Sequence, residues 1–226
     1  SANASLSPDG EKLVYQSGVP QSFEIYIMNI DGSSQINLSN DPGNNNLPVF
    51  TPDGNNIVFF RSADVYMMEI SGQNLQRISN VPVDINFPVR FSQDGSKAFV
   101  TSIDGGRQNI TLINLDGSGE QNLTPVSGGL DVNIAPNSET LVFISGQGRD
   151  QNIFTMDFFG ENKQNLTNES RDYRDPVYSP DGSLIAFTKR VIATDFNNIF
   201  VINADGSQQR QLTNVPADDL IPVFTP

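Results

Sequence analysis

The chain of 226 residues contains no cysteine, no histidine and no tryptophan. Those absences exclude a disulfide framework, a Cys or His metal site, a Cys nucleophile and a Ser–His–Asp triad. Charge is also scarce. The 13 basic and 26 acidic residues make up 17% of the chain, below the roughly 25% usual in soluble domains. The net charge of −13 offers no long-range attraction to phosphate backbones, so no nucleic-acid partner is expected. Long apolar runs are missing too. The longest, Ile57-Val58-Phe59-Phe60 and Leu141-Val142-Phe143-Ile144, have four residues, whereas a membrane helix needs about 20. No direct membrane span is therefore expected in this chain. The polarity that is present comes from amides, 25 Asn and 14 Gln.

What the sequence does have is a repeat. Ser/Thr-Pro-Asp-Gly appears as Ser7-Pro8-Asp9-Gly10, Thr51-Pro52-Asp53-Gly54 and Ser179-Pro180-Asp181-Gly182. It recurs in worn form as Ser92-Gln93-Asp94-Gly95 and Ala135-Pro136-Asn137-Ser138, and Thr225-Pro226 opens another copy. The second positions (8, 52, 93, 136, 180 and 226) are spaced by 44, 41, 43, 44 and 46 residues. Other landmarks keep phase. Each marker is followed by an apolar run such as Leu13-Val14-Tyr15, then by an alternating segment such as Asp64-Val65-Tyr66-Met67-Met68. A glycine turn (Gly32, Gly72, Gly117, Gly160, Gly206) and a Leu/Ile-Ser/Thr pair close each unit.

Each unit thus carries four short runs rich in β-branched and aromatic residues, bounded by Gly, Pro, Asn or Asp. No apolar stripe at helical spacing spans three turns, so essentially no helix is predicted. The fold class is all-β: a β-propeller of four-stranded antiparallel blades, with five repeats of about 44 residues. A parallel solenoid is the rival, but its rungs run nearer ~20–30 residues. The repeat that reads Pro-Val-Phe-Thr-Pro-Asp-Gly, Ile-Val-Phe, Val-Tyr-Met-Met and Leu-Thr resembles the TolB-type β-propeller repeat, a relative of WD repeats. That resemblance covers all five units. It implies a propeller in the bacterial periplasm or another extracytoplasmic setting, docking protein partners of the envelope. Some relatives carry the propeller beside a peptidase domain, and the usual TolB propeller has six blades.

The repeats run approximately 3–46, 47–86, 87–130, 131–174 and 175–219, in one propeller domain spanning 1–226. Residues 220–226 start a further repeat or close the ring. Asn3-Ala4-Ser5-Leu6 and Ile221-Pro222-Val223-Phe224 occupy equivalent inner-strand positions, so one is surplus to a ring of five. An open arc would leave two unpaired edges, so a closed ring is expected over a piece of a longer propeller. Ser1-Ala2-Asn3-Ala4 fits a segment left by a removed export signal, and equally a cut in a longer chain.

Within a blade whose strands run a-b-c-d, the b–c and d–a connections share one end, and they vary in length here. Binding residues gather on irregular loops held by a rigid frame, so this end is the candidate site. Asn44, Asp84, Asp172 and Asp218 each stand four residues before a proline, with Asp131 near the fourth-unit position. Around a channel mouth they read in two ways. They cap turns through backbone N–H bonds, or they form an acidic collar for a cationic partner or a hard ion such as Ca²⁺. No metal is assigned. Arg107, Arg149, Arg171, Arg174 and Arg190 fall on the same end and read as a partner-binding patch or as solvated charge. Tyr173, between two arginines, adds an amphipathic ring of the kind enriched at interfaces.

A glycosidase-like site needs two acids about 5–10 Å apart. Asp218-Asp219, Asp172 with Asp175, and Asp84 are available, but acids recurring in blade after blade fit turns better than one asymmetric site. No cofactor and no catalysis are expected. Six Asn-x-Ser/Thr sequons (Asn3, Asn37, Asn109, Asn122, Asn165, Asn168) follow the repeat or fall in strands, so they do not read as glycosylation sites. A carbohydrate-binding propeller is the alternative from another class. It is weakened because Phe87 and Tyr173 have no aromatic counterparts at Asn46, Leu130 or Leu220. The leading expectation is a non-catalytic protein-interaction scaffold in an envelope-associated complex; the propeller part of a larger envelope protein or hydrolase is the other alternative.

Overall fold

The computed structural model describes residues 3–41, 43–136, 139–148, 150–169, 171–214, 216–219 and 221–224. Ser1-Ala2, the worn marker residues Asn137-Ser138, Arg149, Leu220 and Thr225-Pro226 lie outside the described residues. All regular elements among the described residues are strands, in five sheets of four. Blade one holds β1 (Ala4–Leu6), β2 (Lys12–Val19), β3 (Ser22–Asn29) and β4 (Ile36–Asn37). Blade two holds β5 (Asn45–Phe50), β6 (Asn56–Arg61), β7 (Asp64–Glu69) and β8 (Gln76–Ser79). Blade three holds β9 (Arg90–Phe91), β10 (Lys97–Asp104), β11 (Arg107–Asn114) and β12 (Glu120–Asn122). Blade four holds β13 (Leu130–Ile134), β14 (Thr140–Gln147), β15 (Asp150–Asp157) and β16 (Gln164–Asn165). Blade five holds β17 (Tyr173–Tyr178), β18 (Leu184–Arg190), β19 (Asn197–Asn203) and β20 (Arg210–Gln211).

Strands lie in chain order within each sheet, and paired strands run antiparallel, as between β14 and β15. This is the blade pattern that the repeat predicts. The expected inner strand at Ile221-Pro222-Val223-Phe224 does not form. A strand needs a ladder of partner groups, and no strand pairs with this segment among the described residues; the proline is not the cause, since Pro48 and Pro176 stand at the same repeat position within β5 and β17. The chain divides into two compact units, Ser1–Gly106 with Thr111–Gln121, and Arg107–Ile110 with Asn122–Pro226.

Alternation explains the cores. Successive side chains of a strand point to opposite faces, and in Ile57-Val58-Phe59-Phe60 all four are at most 1% exposed. In the first unit, Ile57, Phe59 and Met68 pack with Val14, Ile25, Ile27 and Leu38 of blade one. Val58, Phe60, Val65 and Ile78 turn the other way, onto Ala98, Val100 and Ile113 of blade three. In the second unit, Val142, Ile144, Ile153 and Leu166 of blade four meet Ile185, Phe187 and Ile202 of blade five. An unbroken apolar run is therefore a strand buried on both faces, which is why it lacks a polar side.

The marker is a hydrogen-bonded turn. In Ser7, Thr51, Ser92 and Ser179 the hydroxyl donates to the carboxylate of Asp9, Asp53, Asp94 and Asp181, at 2.5–2.6 Å. The same hydroxyl oxygen accepts the N–H five residues on, at 2.8–3.1 Å. Each carboxylate also accepts the N–H two residues beyond it, at 3.0–3.1 Å. The glycine must take a left-handed φ of 68–77° to return its N–H to the Ser/Thr carbonyl. In blade four Ala135 keeps the backbone bond to Thr140 but has no hydroxyl to contribute. The closing Leu-Ser/Thr pair has an equally local purpose. Ser39, Thr124, Thr167 and Thr213 accept the N–H of Ile25, Ile110, Ile153 and Ile199 at 2.9–3.1 Å, extending the ladder where the short outer strand stops. In the sequons Asn122-Leu123-Thr124 and Asn165-Leu166-Thr167, the Asn side chain accepts the Thr N–H, forming an Asx turn.

Hydrogen bonds from Ser92 and Ser179, then from the backbones of Ser96 and Ser183, hold the carboxyls of Asp94 and Asp181 down to about 2, against an ordinary value of 3.8. A carboxyl that binds its proton less readily when folded stabilises the fold above its unfolded value. That contribution is lost as pH falls from near 4 through about 2. Melting temperature measured from pH 6 to pH 2 is expected to drop across this window, with a shallower drop in Asp94→Asn plus Asp181→Asn than in the parent. Equal slopes in parent and variant would count against these turns as the source.

Candidate functional site

The b–c connections turn out more uniform than their sequences imply. In blade one Val19 pairs with Ser22 and in blade two Arg61 pairs with Asp64, so only Pro20-Gln21 and Ser62-Ala63 lie between the strands. Gly105-Gly106 joins β10 to β11. Ser62 and Ala63, at φ 51° and 72°, form a tight hairpin turn whose twist matches the strands. Blade five departs from this, with 191–196 between β18 and β19, closed by Val191 donating to the Phe196 carbonyl at 2.9 Å. Most of the variation at this end therefore sits in the d–a connections and in that fifth loop.

In the first unit, the Asn44 side chain accepts the Phe23 N–H at 3.4 Å, at the start of β3. Asp84 accepts the backbone and side-chain N–H groups of Asn86 at 3.0 and 2.6 Å. Both make the turn-capping contacts that the structural reading describes. Beside Asn44 lies a pair that sequence reading missed. Arg61 reaches Asp41 at 2.5 Å and Asn45 at 2.8 Å, with its guanidinium 4.8 Å from the Tyr66 ring centroid. Asp41 and Arg61 are 20 residues apart, and only the b–c hairpin end beside the d–a loop brings them together.

The second unit gathers most of the remaining candidates. Asp172 and Arg174 form a two-point ion pair at 3.0 and 3.1 Å. Arg190 pairs with Asp195 at 2.7 Å, and its N–H donates to the Asp172 carbonyl at 3.1 Å. Asp218 accepts the backbone and side-chain N–H groups of Asn197 at 2.8 and 3.0 Å. These charges act on one another. Arg174 is held further above the ordinary guanidinium value, first by its bond to Asp172 and also by Asp175 and Asp218. Arg190 is shifted the same way, first by Asp195 and also by Asp172 and Asp218. Arg107 is exposed and donates to the Val126 carbonyl at 2.7 Å. Arg171 exchanges backbone hydrogen bonds with Gln151 at 3.1 Å. Arg149 lies outside the described residues.

Tyr173 needs correction. It is 1% exposed and packs edge-on against Phe187 at 5.6 Å. Lys189, paired with Glu169 at 2.8 Å, covers Tyr173 and Phe200 with its ammonium. Tyr173 opens β17 and alternation turns it inward, leaving Arg174 outside, so its ring has no surface to offer a partner.

A further device recurs in the inner strands. The pairing of β5, β13 and β17 with the next strand slips by a residue, a β-bulge. Leu47, Asp131 and Asp175 sit in the bulges with φ of 51–55°, and Ile221 at the equivalent position has φ 56°. A bulge frees an N–H, and in β5 and β17 a side chain of the preceding blade accepts it. Gln16 accepts the Leu47 N–H at 2.9 Å, and Asp131 accepts that of Asp175 at 2.7 Å. The Asp175 carboxylate accepts the N–H of Ile221, although burial raises its pKa overall. Asp131 and Asp175 are 44 residues apart in the same repeat phase, a signal that the sequence carried. Among the described residues, no group of three or more Asp or Glu is placed to hold a metal ion.

The family pattern described as TolB beta propeller domain matches residues 2–180. A 48-residue stretch is 50% identical to the Tol-Pal system protein TolB of Anaeromyxobacter dehalogenans (strain 2CP-C), covering 21% of this chain and 11% of that protein. Among solved structures, TolB from Acinetobacter baumannii superposes with a TM-score of 0.68 at 19% identity, over 96% of this chain and 55% of that one. An oligogalacturonate lyase in complex with manganese superposes with a TM-score of 0.74 at 13% identity, over 94% of this chain and 64% of that one. At such identities the structural likenesses show the fold alone, and the chain spans only part of each of these relatives.

Tyr173→Ala is expected to cost about 3–5 kcal/mol in urea unfolding, as for other buried aromatic truncations. Arg174→Ala, which removes the exposed partner of an ion pair (side chains 55% exposed for Arg174 and 13% for Asp172), should cost less than about 1 kcal/mol. Similar losses in the two variants would show that Arg174 is part of the structural frame.

Proposed function

The chain belongs to the TolB β-propeller domain family, and from that membership we propose that it is a non-catalytic protein-interaction scaffold of an envelope-associated complex. Its five blades form one propeller domain, and its working place is the periplasm or an equivalent extracytoplasmic space. The observation that carries this reading is the coupled charge cluster of Asp172, Arg174, Arg190, Asp195 and Asp218. Alternating signs on a hydrogen-bonded frame suit a protein surface of matching pattern, because complementary charges set register and encounter rate. They suit a phosphate backbone poorly, since each arginine is already paired with a carboxylate. No helix among the described residues is long and apolar enough to cross a membrane. The 48-residue likeness to a Tol-Pal system protein supports partners from a Tol-Pal-type system.

The lyase and peptidase readings rest on fold likeness at 11–14% identity, and function sits in sites grafted onto folds. The lectin reading loses Tyr173, which is in the core. Cross-linking in cells producing the full chain in the periplasm, followed by mass spectrometry, is expected to recover Tol-Pal system proteins at a fixed ratio. Arg174→Ala with Arg190→Ala should cut recovery by about tenfold, equivalent to ~1.4 kcal/mol, while leaving the melting temperature close to the parent's. Recovery of the chain alone, or undiminished recovery from the double variant, overturns the proposal.

A further inference from the structure

A cavity of about 400 Å³ opens between blades four and five at the marker end, away from the charge cluster. Its origin is a set of small side chains at repeat positions that are larger elsewhere, and the registers make those positions comparable. Thr155, paired with Val142, stands where Ile27 pairs with Val14 in blade one and Met67 with Val58 in blade two. Ala204, Ile70 and Leu115 each donate a backbone N–H to the residue after a marker glycine. Ile70 packs against the core of blades one and two, and Leu115 belongs to that of blades two and three. Ala135 replaces the Ser or Thr of the other markers. All three small residues line the cavity. Tyr178 changes in the other direction, adding a hydroxyl where Phe50 and Phe91 have none. Tyr178 is 6% exposed and its hydroxyl bonds to no described residue, so burial alone drives its pKa, up to about 12.

We propose that this cavity binds a neutral, polyhydroxylated ligand the size of one pyranose sugar. Small-molecule sites begin near ~300 Å³, so the space suits a single ring. Charge decides against ions. The Asp157 carboxylate in the lining already accepts the N–H groups of Phe159 and Glu161 at 2.9 and 2.8 Å and the Asn162 amide at 2.7 Å. A cation would have to displace those donors. An anion would meet that carboxylate with no lysine or arginine in the lining to offset it. The remaining polar groups are neutral and of both senses. The hydroxyls of Thr140, Thr155 and Tyr178 can each donate and accept, and Gln164 adds an amide. With no hydroxyl at Ala135, the Thr140 N–H also loses the acceptor that Ser7 gives Lys12 at 2.8 Å, and is left to a ligand. Ala135, Ala204 and the Tyr178 ring supply an apolar side, and a pyranose offers the same pairing of hydroxyl edge and C–H face. A hydrocarbon would leave the buried hydroxyls unpaired. The cavity lies within one compact unit, between one pair of blades, unlike a lectin site repeated in every blade. It shares no residue with the charge cluster, so the two readings stand or fall separately.

Saturation-transfer NMR and calorimetry on the full chain, with glucose, mannose and N-acetylglucosamine, test the proposal. At least one is expected to bind with a Kd of about 1 mM. Glucosamine in its ammonium form and glucuronate should each bind at least about tenfold more weakly than the best neutral sugar. Tyr178→Phe, which restores the residue of blades two and three, should weaken binding about fivefold, as for one neutral hydrogen bond, with the melting temperature unchanged. Thr155→Ile with Ala204→Leu, which restores the larger side chains, should abolish binding, while the melting temperature holds or rises as the cavity fills. If that double variant fails to fold, Tyr178→Phe decides. No binding of any of the three sugars at about 20 mM, well above the expected Kd, overturns the proposal. So does undiminished binding in the variants, or tighter binding of glucosamine or glucuronate than of every neutral sugar.

Discussion

Burial of the second strand on both faces is the constraint from which the rest follows. A sheet with one wet face survives beside a single neighbour, but Ile57-Val58-Phe59-Phe60 has no wet face. At about 25 cal/mol per Å² of apolar surface, leaving Phe59 and Phe60 uncovered would forfeit several kcal/mol from one strand. Each blade must therefore be matched to the next, and every core within a unit uses the same positions for it. The polar groups are arranged to permit that contact without leaving backbone unpaired. Marker turns tie the first strand to the second, and Ser39, Thr124, Thr167 and Thr213 extend the outer edge by one hydrogen bond each.

The same constraint separates scaffold from site. Marker and glycine turns are closed by their own serines and aspartates, so they repeat with little freedom to vary. The other end of the blade carries the unequal d–a loops and the 191–196 loop, and its charges are held by neighbours of opposite sign. The bulges of β5, β13 and β17 lie where these loops enter the inner strands, and acceptors from the preceding blade hold those of β5 and β17. A bulged, cross-braced inner strand gives the loop end a fixed frame, which an interaction surface needs if ordering its side chains is not to cost affinity.

Much of this was legible in the sequence because it is local. Ser7, Asp9 and Gly10 lie within four residues, and the bonds they make close within six. The blade length, the hairpin ends and the apolar runs are legible for the same reason. The site was only half legible. Asn44, Asp84 and Asp218 hold turns, as their residue type permits, but the exposure of Tyr173 was misjudged, since the register that turns it inward depends on a bulge two residues away. Asp41 with Arg61 could not be seen, because nothing in either residue's surroundings in the chain names the other.

The sequence by itself determined the repeat, the four-stranded blade and the turns, since these rest on short-range hydrogen bonds and on a side-chain period of two. The tertiary structure alone decided which face of each blade meets a neighbour within its unit and which charges pair across loops. The reason is that burial belongs to a contact between two sheets. An apolar residue states that it has a use for a partner, and only the assembled fold shows whether the partner is there.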